Sequence, residues 1–123
     1  MSMSKKKFCV YDEQCPSHNI LEKISDKWSI LIINKLLYKT LRFGELKREL
    51  GGISPKMLTQ TLSKLERVGL INRKSFPVLP MKVEYSLTAL GYEIGVILNS
   101  LKIWTEANIE AMLTIESKFE ESL

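Results

Sequence analysis

The stretch from Gly51 to Arg73, GGISPKMLTQTLSKLERVGLINR, leaves few folds open. It begins with two glycines, which tolerate the backbone conformations of a tight helix-to-helix turn. Ser54 follows, placed to cap the free N–H groups of a helix start. Pro55 fits the first turn, where its missing donor costs nothing. Leu58, Leu62 and Leu65 recur at helical spacing, with Met57 and Val68 at the flanks, and predict one buried stripe. Gly69 sits at the position just past the C-cap that usually stops such a helix. The other face reads Lys56, Thr59, Gln60, Ser63, Lys64 and Arg67, a short, polar and basic set. Upstream, FGELKREL gives Phe43, Leu46 and Leu50 at three and four spacing, a helix of about two turns. Two short helices joined by a glycine turn fit a helix-turn-helix.

The surrounding elements extend that reading. Ile20, Leu21 and Ile24 predict a short helix between Ser17 and Ser25, with Ser17 as its cap. Asp26 stands before KWSILIINKLLY, which predicts a capped helix through Tyr38 that is apolar nearly all round and so enclosed on several sides. TLRF predicts a short extended link or a one-rung strand. LINRKSF and KVEYSL predict a hairpin, and the prolines of PVLP, Pro77 and Pro80, belong to its stiff tip rather than to a strand. Thr88 caps a last helix that runs to Met112, about 37 Å. Ile115 and Phe119 either extend it or fold back after it. Gly91 and Gly95 lower its propensity but permit close backbone approach. The expected class is mainly α with a small β-hairpin, a winged helix-turn-helix with a long C-terminal dimerisation helix. Residues 1–16 form a flexible arm, 17–87 the DNA-binding region and 88–123 the dimerisation region of a single domain.

Charge is divided along the chain. Residues 1–87 hold 16 Lys/Arg against 8 Asp/Glu, and residues 88–123 hold 2 against 6, within an overall +4. A basic front suits a polyanion, although a solvated surface with an accidental bias has the same composition. A helix that enters the major groove needs one face on its own core and another able to reach base edges and phosphates. Gln60 both donates and accepts, which suits adenine. Thr59 and Ser63 are short enough to let the backbone approach. Lys56 can reach a base or a phosphate, while Lys64 and Arg67 are placed for the DNA backbone. Arg73, Lys74 and Lys82 are the cations of the wing, which Glu84 partly offsets. A wet amphipathic helix and a solvated hairpin are the plainer accounts of the same residues.

Other chemistries find little support. The one histidine, His18, and two cysteines make a poor metal set. No phosphate-binding glycine loop or nucleophile–base–acid set is visible, so neither enzyme activity nor a cofactor is expected. No apolar run is long enough for a membrane span, and the N-terminus does not read as a secretory signal. Two cysteines are too few for a disulfide scaffold, so a cytoplasmic setting is expected.

CP at 15–16, KWSILII at 27–33, LRFGELKREL at 41–50, GISPKMLTQTLSKLERVGLINR at 52–73 and KVEYSLTALG at 82–91 together resemble the HxlR-type family of winged helix-turn-helix transcriptional regulators, related in fold to MarR proteins. The resemblance spans Cys15 to Trp104. It implies a homodimeric repressor or activator that reads double-stranded DNA through Arg42, Ser54, Lys56, Met57, Thr59, Gln60 and Arg67, with Lys82 in the wing. Met57 divides between core and DNA. Two departures stand out. Ser25 and Asp26 replace a frequent glycine pair, which is expected to alter a helix join and not DNA reading. Leu79 and Lys82 alter the family's wing motif, and lysine lacks the planar fork of arginine.

Leu90, Ile94, Ile97, Leu101 and Trp104 follow a three-four alternation on the last helix. One stripe is expected to pack within the subunit and another across a two-fold axis. Cys15 matches a position that some family members use to sense oxidants or electrophiles. An inert thiol is the other reading of that residue. Lys5, Lys6 and Lys7 would favour its thiolate, and Asp12 and Glu13 would oppose it. Two rival functions remain, a protein-interaction module and a regulator with a small-molecule pocket lined by Trp28, Phe43, Tyr92 and Trp104.

Overall fold

The structure, a computed structural model, describes residues 9–123. Lys5, Lys6 and Lys7 lie outside the described residues. Chain order is α1 (Pro16–Ile24), α2 (Lys27–Tyr38), β1 (Leu41–Arg42), α3 (Phe43–Glu49), α4 (Pro55–Arg67), β2 (Ile71–Phe76), β3 (Lys82–Leu87) and α5 (Ala89–Glu121). The mainly helical class, the hairpin and the long last helix are as the sequence predicts.

Local chemistry sets the boundaries. The Asp26 carboxylate accepts from the Ser29 N–H at 2.7 Å and starts α2. The Ser54 hydroxyl accepts from the Met57 N–H at 3.0 Å and starts α4, with Pro55 in the first turn. Gly69 ends α4 with φ at +83°, and Gly52 shapes the preceding turn at +88°, a left-handed region that a Cβ disfavours. The start of α1 differs from expectation. Pro16 is already helical and Cys15, not Ser17, is the N-cap residue, because proline's fixed φ suits the first helical position.

Strand β3 lies between β1 and β2, antiparallel to both. Leu41 pairs with Tyr85, Arg42 and Lys74 both pair with Glu84, and Arg73 pairs with Tyr85. The core joins Ile32, Ile33 and Leu36 of α2, Leu46 of α3, Leu58, Leu62 and Leu65 of α4, and Ile71, Tyr85 and Leu87 of the sheet. Each such aliphatic side chain, fully buried, contributes about 1.5–3 kcal/mol.

Helix α5 is rooted on this core at close range. A Cβ on Gly91 would stand 2.1 Å from the Leu70 carbonyl oxygen, and one on Gly95 would stand 3.0 Å from Leu37 Cδ1. The Asn99 side-chain oxygen accepts from Asn34 at 3.0 Å and from the Tyr38 hydroxyl at 2.8 Å, which ties α5 to α2. The helix passes Met112 and continues without a break to Glu121, 33 residues in all and about 50 Å. Ile115 and Phe119 therefore extend it and do not fold back.

Candidate nucleic-acid interface

Helix α4 sorts its residues by side. Leu58, Thr61, Leu62 and Leu65 are buried, while Lys56, Thr59, Gln60, Ser63 and Arg67 are exposed. Thr61 is the polar residue that faces inward. Its hydroxyl donates to the Met57 carbonyl at 2.7 Å, which removes the cost of burying it. The spacing of the leucines already points to the buried side, but Thr61 joins it through a bond that periodicity does not reveal. The Ser54 hydroxyl oxygen is engaged as the cap, and its proton remains able to donate to a phosphate. Arg67 reaches back to the Ser63 hydroxyl at 3.5 Å.

The hairpin divides its cations between two sides. Residues paired across strands share a face, so Arg73 lies with Tyr85 on the side of α4. There it lines a groove of about 320 Å³ with Thr59, Ser63 and Glu66. Arg42, Lys74 and Lys82 lie on the opposite face around Glu84. Lys82 Nζ is 3.2 Å from the Glu84 carboxylate, and the ammoniums of Lys74 and Lys82 stand 5.1 and 4.8 Å from the Phe76 ring centroid. Glu84 and Phe76 thus hold this cationic group in place. From the sequence Glu84 is only an offset to the wing's charge, since cross-strand pairing is not readable from composition.

Lys64 lies apart from the outer row of α4. Half-buried, it forms an ion pair with Asp26, the cap of α2. The pair borders a groove of about 440 Å³ between α2 and α4, together with Lys27, Trp28, Met57 and Gln60. Lys27 Nζ stands 4.3 Å from the centroid of the Trp28 ring. Burial alone would raise the Asp26 pKa, but Lys64 and the Ser29 N–H outweigh it and hold the carboxyl below its ordinary value. Asp26 thus touches the polar side of α4 through Lys64 as well as capping α2. Met57 is exposed in the same groove.

Trp28, Phe43, Tyr92 and Trp104, the lining of the rival small-molecule pocket, are not brought together. Trp28 borders the α2–α4 groove, Phe43 packs against the core, and Tyr92 and Trp104 are exposed on α5. Of the apolar residues expected to pair two subunits, Ile94 packs against its own core, while Leu90, Ile97, Leu101 and Trp104 are exposed, Ile97 by 63% and Trp104 by 55%.

Cys15 is half-buried, with its Sγ 3.2 Å from the Ser17 hydroxyl. That hydrogen bond, aided by backbone N–H groups at the start of α1, lowers the thiol pKa from its ordinary value, against a smaller opposing effect of burial. Cys9 is exposed, and both thiols are free. His18 is tied to the preceding turn through Nδ1, 2.7 Å from the Val10 carbonyl. Among the described residues no cluster of His, Cys, Asp and Glu could hold a metal ion, and no helix is long and apolar enough to cross a membrane.

Two helices joined through a glycine turn, followed by the β2–β3 hairpin that β1 extends to a three-stranded sheet, define a winged helix-turn-helix protein. The chain belongs to the HxlR-like helix-turn-helix family, whose model matches residues 23–113. Members of this family are transcription factors and not enzymes. The chain is 39% identical over 118 residues to the uncharacterised HTH-type transcriptional regulator YtfH of Escherichia coli, covering 96% of this chain and 94% of that one. Among solved structures, the ytfH protein of Salmonella typhimurium superposes with a TM-score of 0.85 at 40% identity, over 90% of this chain and 99% of that one. The redox regulator HypR in its oxidised form gives 0.71 at 35% identity, over 76% of this chain and 97% of that one.

Proposed function

We propose that the chain is a dimeric, sequence-specific DNA-binding regulator of transcription. Residues 17–87 bind DNA and residues 88–123 join two copies. Helix α4 enters the major groove and reads base edges with Gln60, Thr59, Ser63 and Met57. Ser54, Lys56, Arg67 and Arg73 meet phosphates on the same side, and Arg42, Lys74 and Lys82 extend the contact along the wing. One observation carries this reading: Thr59, Gln60 and Ser63 point outward together while the leucines of the same helix are sealed in the core. An outward face of this kind buries no apolar surface against a protein partner, yet it matches the donors and acceptors of a groove. Lys64 is the weakest member of the set, because Asp26 already engages it.

Selection from random duplexes, followed by a salt titration on the selected site, tests the reading. A defined motif is expected, with affinity falling steeply as salt rises and counterions are released. Weak, salt-insensitive binding to every duplex would overturn it and favour a protein-interaction module.

The input to the regulator is an oxidant or electrophile acting at Cys15. The support is the lowered thiol pKa at a partly exposed helix start, together with the similarity to a redox regulator. Oxidant is expected to change operator affinity in the native protein and not in Cys15→Ser. Equal loss of DNA in both proteins would remove Cys15 from the mechanism.

A further inference from the structure

The tip of the hairpin is apolar where the rest of the wing is polar. Between β2 and β3 the chain reads PVLPM, and its apolar side chains face water. Val78 is 51% exposed, Met81 73% and Leu79 100%. A single apolar residue on a surface needs no explanation, but three so close together at the end of a projecting loop form a patch. The backbone there is restrained. Pro77 and Pro80 each fix one φ, and the Val78 N–H donates to the Phe76 carbonyl at 2.8 Å. A loop ordered in advance loses little entropy when something covers it.

The surroundings of the tip select its partner. From Ile71 to Val83 the hairpin carries Arg73, Lys74 and Lys82 and no carboxylate, and Glu84, the first one beyond, is already paired with Lys82. At the base of the tip the Phe76 ring holds the ammoniums of Lys74 and Lys82 beside it. Apolar side chains among cations match a polyanion with an apolar interior, which is what stacked bases between phosphate rows provide. Leu79 lies six residues beyond Arg73, which lines the groove against α4. At about 3.3 Å per residue the tip reaches up to roughly 20 Å past α4, enough to span the half turn of duplex, some 17 Å, from a major groove to the next minor groove. In the other direction β3 leads away from the tip to the root of α5, so a second copy joined through α5 does not cover it. Nor can three side chains supply the roughly 800 Å² that each partner buries in a stable protein contact.

We propose that the wing tip is an apolar wedge for DNA: Leu79, backed by Val78 and Met81, enters the minor groove at a pyrimidine–purine step beside the α4 site and bends the duplex. The inference rests on the DNA-binding reading above and adds a specificity element to it. Leucine and methionine are among the side chains with which proteins part a base step, and a step opened from the minor groove kinks the duplex toward the major groove. TA and CA/TG steps unstack most readily, so Leu79 selects base pairs by their deformability, with no hydrogen bond to any of them. Lys74 and Lys82 then meet phosphates next to the parted step and hold the wedge in position.

Bending and unstacking are measured on the operator selected from random duplexes. Energy transfer between labelled ends reads the bend, and 2-aminopurine moved through the flanking positions reads the unstacking. The native protein is expected to bring the ends together and to brighten 2-aminopurine at one flanking step. Replacing that step by AA should weaken binding about tenfold. Leu79→Ser, a change at a fully exposed position, should lose the bend, the brightening and the step preference together, with the salt slope unchanged. Leu79→Phe should keep all three, because a phenyl ring is also a wedge. A native complex with straight, stacked DNA, or a Leu79→Ser complex bent like the native one, would overturn the wedge, while a selected motif with a steep salt dependence would leave the DNA-binding reading standing. A Leu79→Ser protein that bends DNA as the native one does but fails in a purified transcription reaction would assign the tip to the polymerase and likewise overturn the wedge. No selected motif at all would sink the DNA-binding reading and the wedge with it.

Discussion

Helices α4 and α5 are both amphipathic, and each leaves one side uncovered, yet the two uncovered sides have opposite chemistry. On α4 the open side is Lys56, Thr59, Gln60, Ser63 and Arg67. On α5 it is Ile97, Leu101, Trp104, Ile115 and Phe119. A polar side loses little by staying in water and gains where it meets an ordered polyanion. An apolar side pays for every exposed methyl group until a protein covers it. On the proposed reading the nucleic acid meets α4 and the second copy meets α5, and substitutions on one side should leave the other function intact.

The sharpest break is a charge on α5. Trp104→Glu should weaken self-association by roughly 2–4 kcal/mol, about 30- to 1,000-fold in the dimer dissociation constant, as expected for an aromatic anchor of an interface. Sedimentation velocity measures this, and operator affinity should fall with it. Thr59→Ala, on the other helix, should leave the sedimentation unchanged. If Trp104→Glu sediments as the native dimer, the apolar side of α5 is not the joint.

The root of α5 gives the next largest effect. Alanine is a better helix former than glycine by about 1 kcal/mol, so propensity alone predicts that Gly91→Ala stabilises. The Leu70 carbonyl, 2.1 Å from the added Cβ, decides otherwise, because it belongs to backbone that bonds the Thr88 N–H and cannot swing aside. The expected outcome is a net loss of about 1–3 kcal/mol in urea denaturation. A stabilised Gly91→Ala would mean that α5 sits further from the sheet.

On α4, base reading and phosphate contact separate by their salt dependence. Gln60→Ala should cost about 1–3 kcal/mol on the selected operator, relax the preference at one base pair and leave the salt slope unchanged. Arg67→Ala should weaken all duplexes alike and reduce the slope by about 1. Filter binding at several salt concentrations distinguishes the two, and identical behaviour of both variants would mean that α4 does not lie in the groove as described.

The same pair of helices shows what sequence can reveal. The limits of α4 were legible because each has a local cause: a hydroxyl at Ser54, a ring at Pro55, a missing Cβ at Gly69. The candidate contacts Thr59, Gln60 and Ser63 were legible because periodicity fixes which side the leucines bury. The end of α5 was not, since no glycine or proline stops it before Glu121 and the apolar spacing at Ile115 and Phe119 fits a helix or a return. Nor was the role of Asp26. As the cap of α2 it follows from its neighbours, but its partner Lys64 is 38 positions away in sequence and belongs to another helix. A contact of that kind leaves no trace in local pattern. The inward turn of Thr61 is hidden for a related reason, because a polar residue satisfied by its own helix looks like any other polar residue in the sequence.

The smallest effect tests that hidden contact, and with it the boundary of the DNA-reading side. Asp26 has a pKa held below its ordinary value by Lys64 and the Ser29 N–H, against the pull of burial. For a carboxylate with a depressed folded pKa, the stabilisation is complete above the unfolded value, near 3.9, and disappears as pH falls through the lower folded value. Asp26→Asn should therefore be less stable than the native protein at neutral pH, by about 1 kcal/mol or less for so open a pair, and the difference should shrink below about pH 4. The DNA measurement is more discriminating. If Asp26 holds Lys64 away from the duplex, Lys64→Met leaves the salt slope as it is, while Lys56→Met and Arg67→Ala each lower it. A drop of about 1 in the slope of Lys64→Met would show that the ion pair opens on binding and that Lys64 belongs with the phosphate contacts after all.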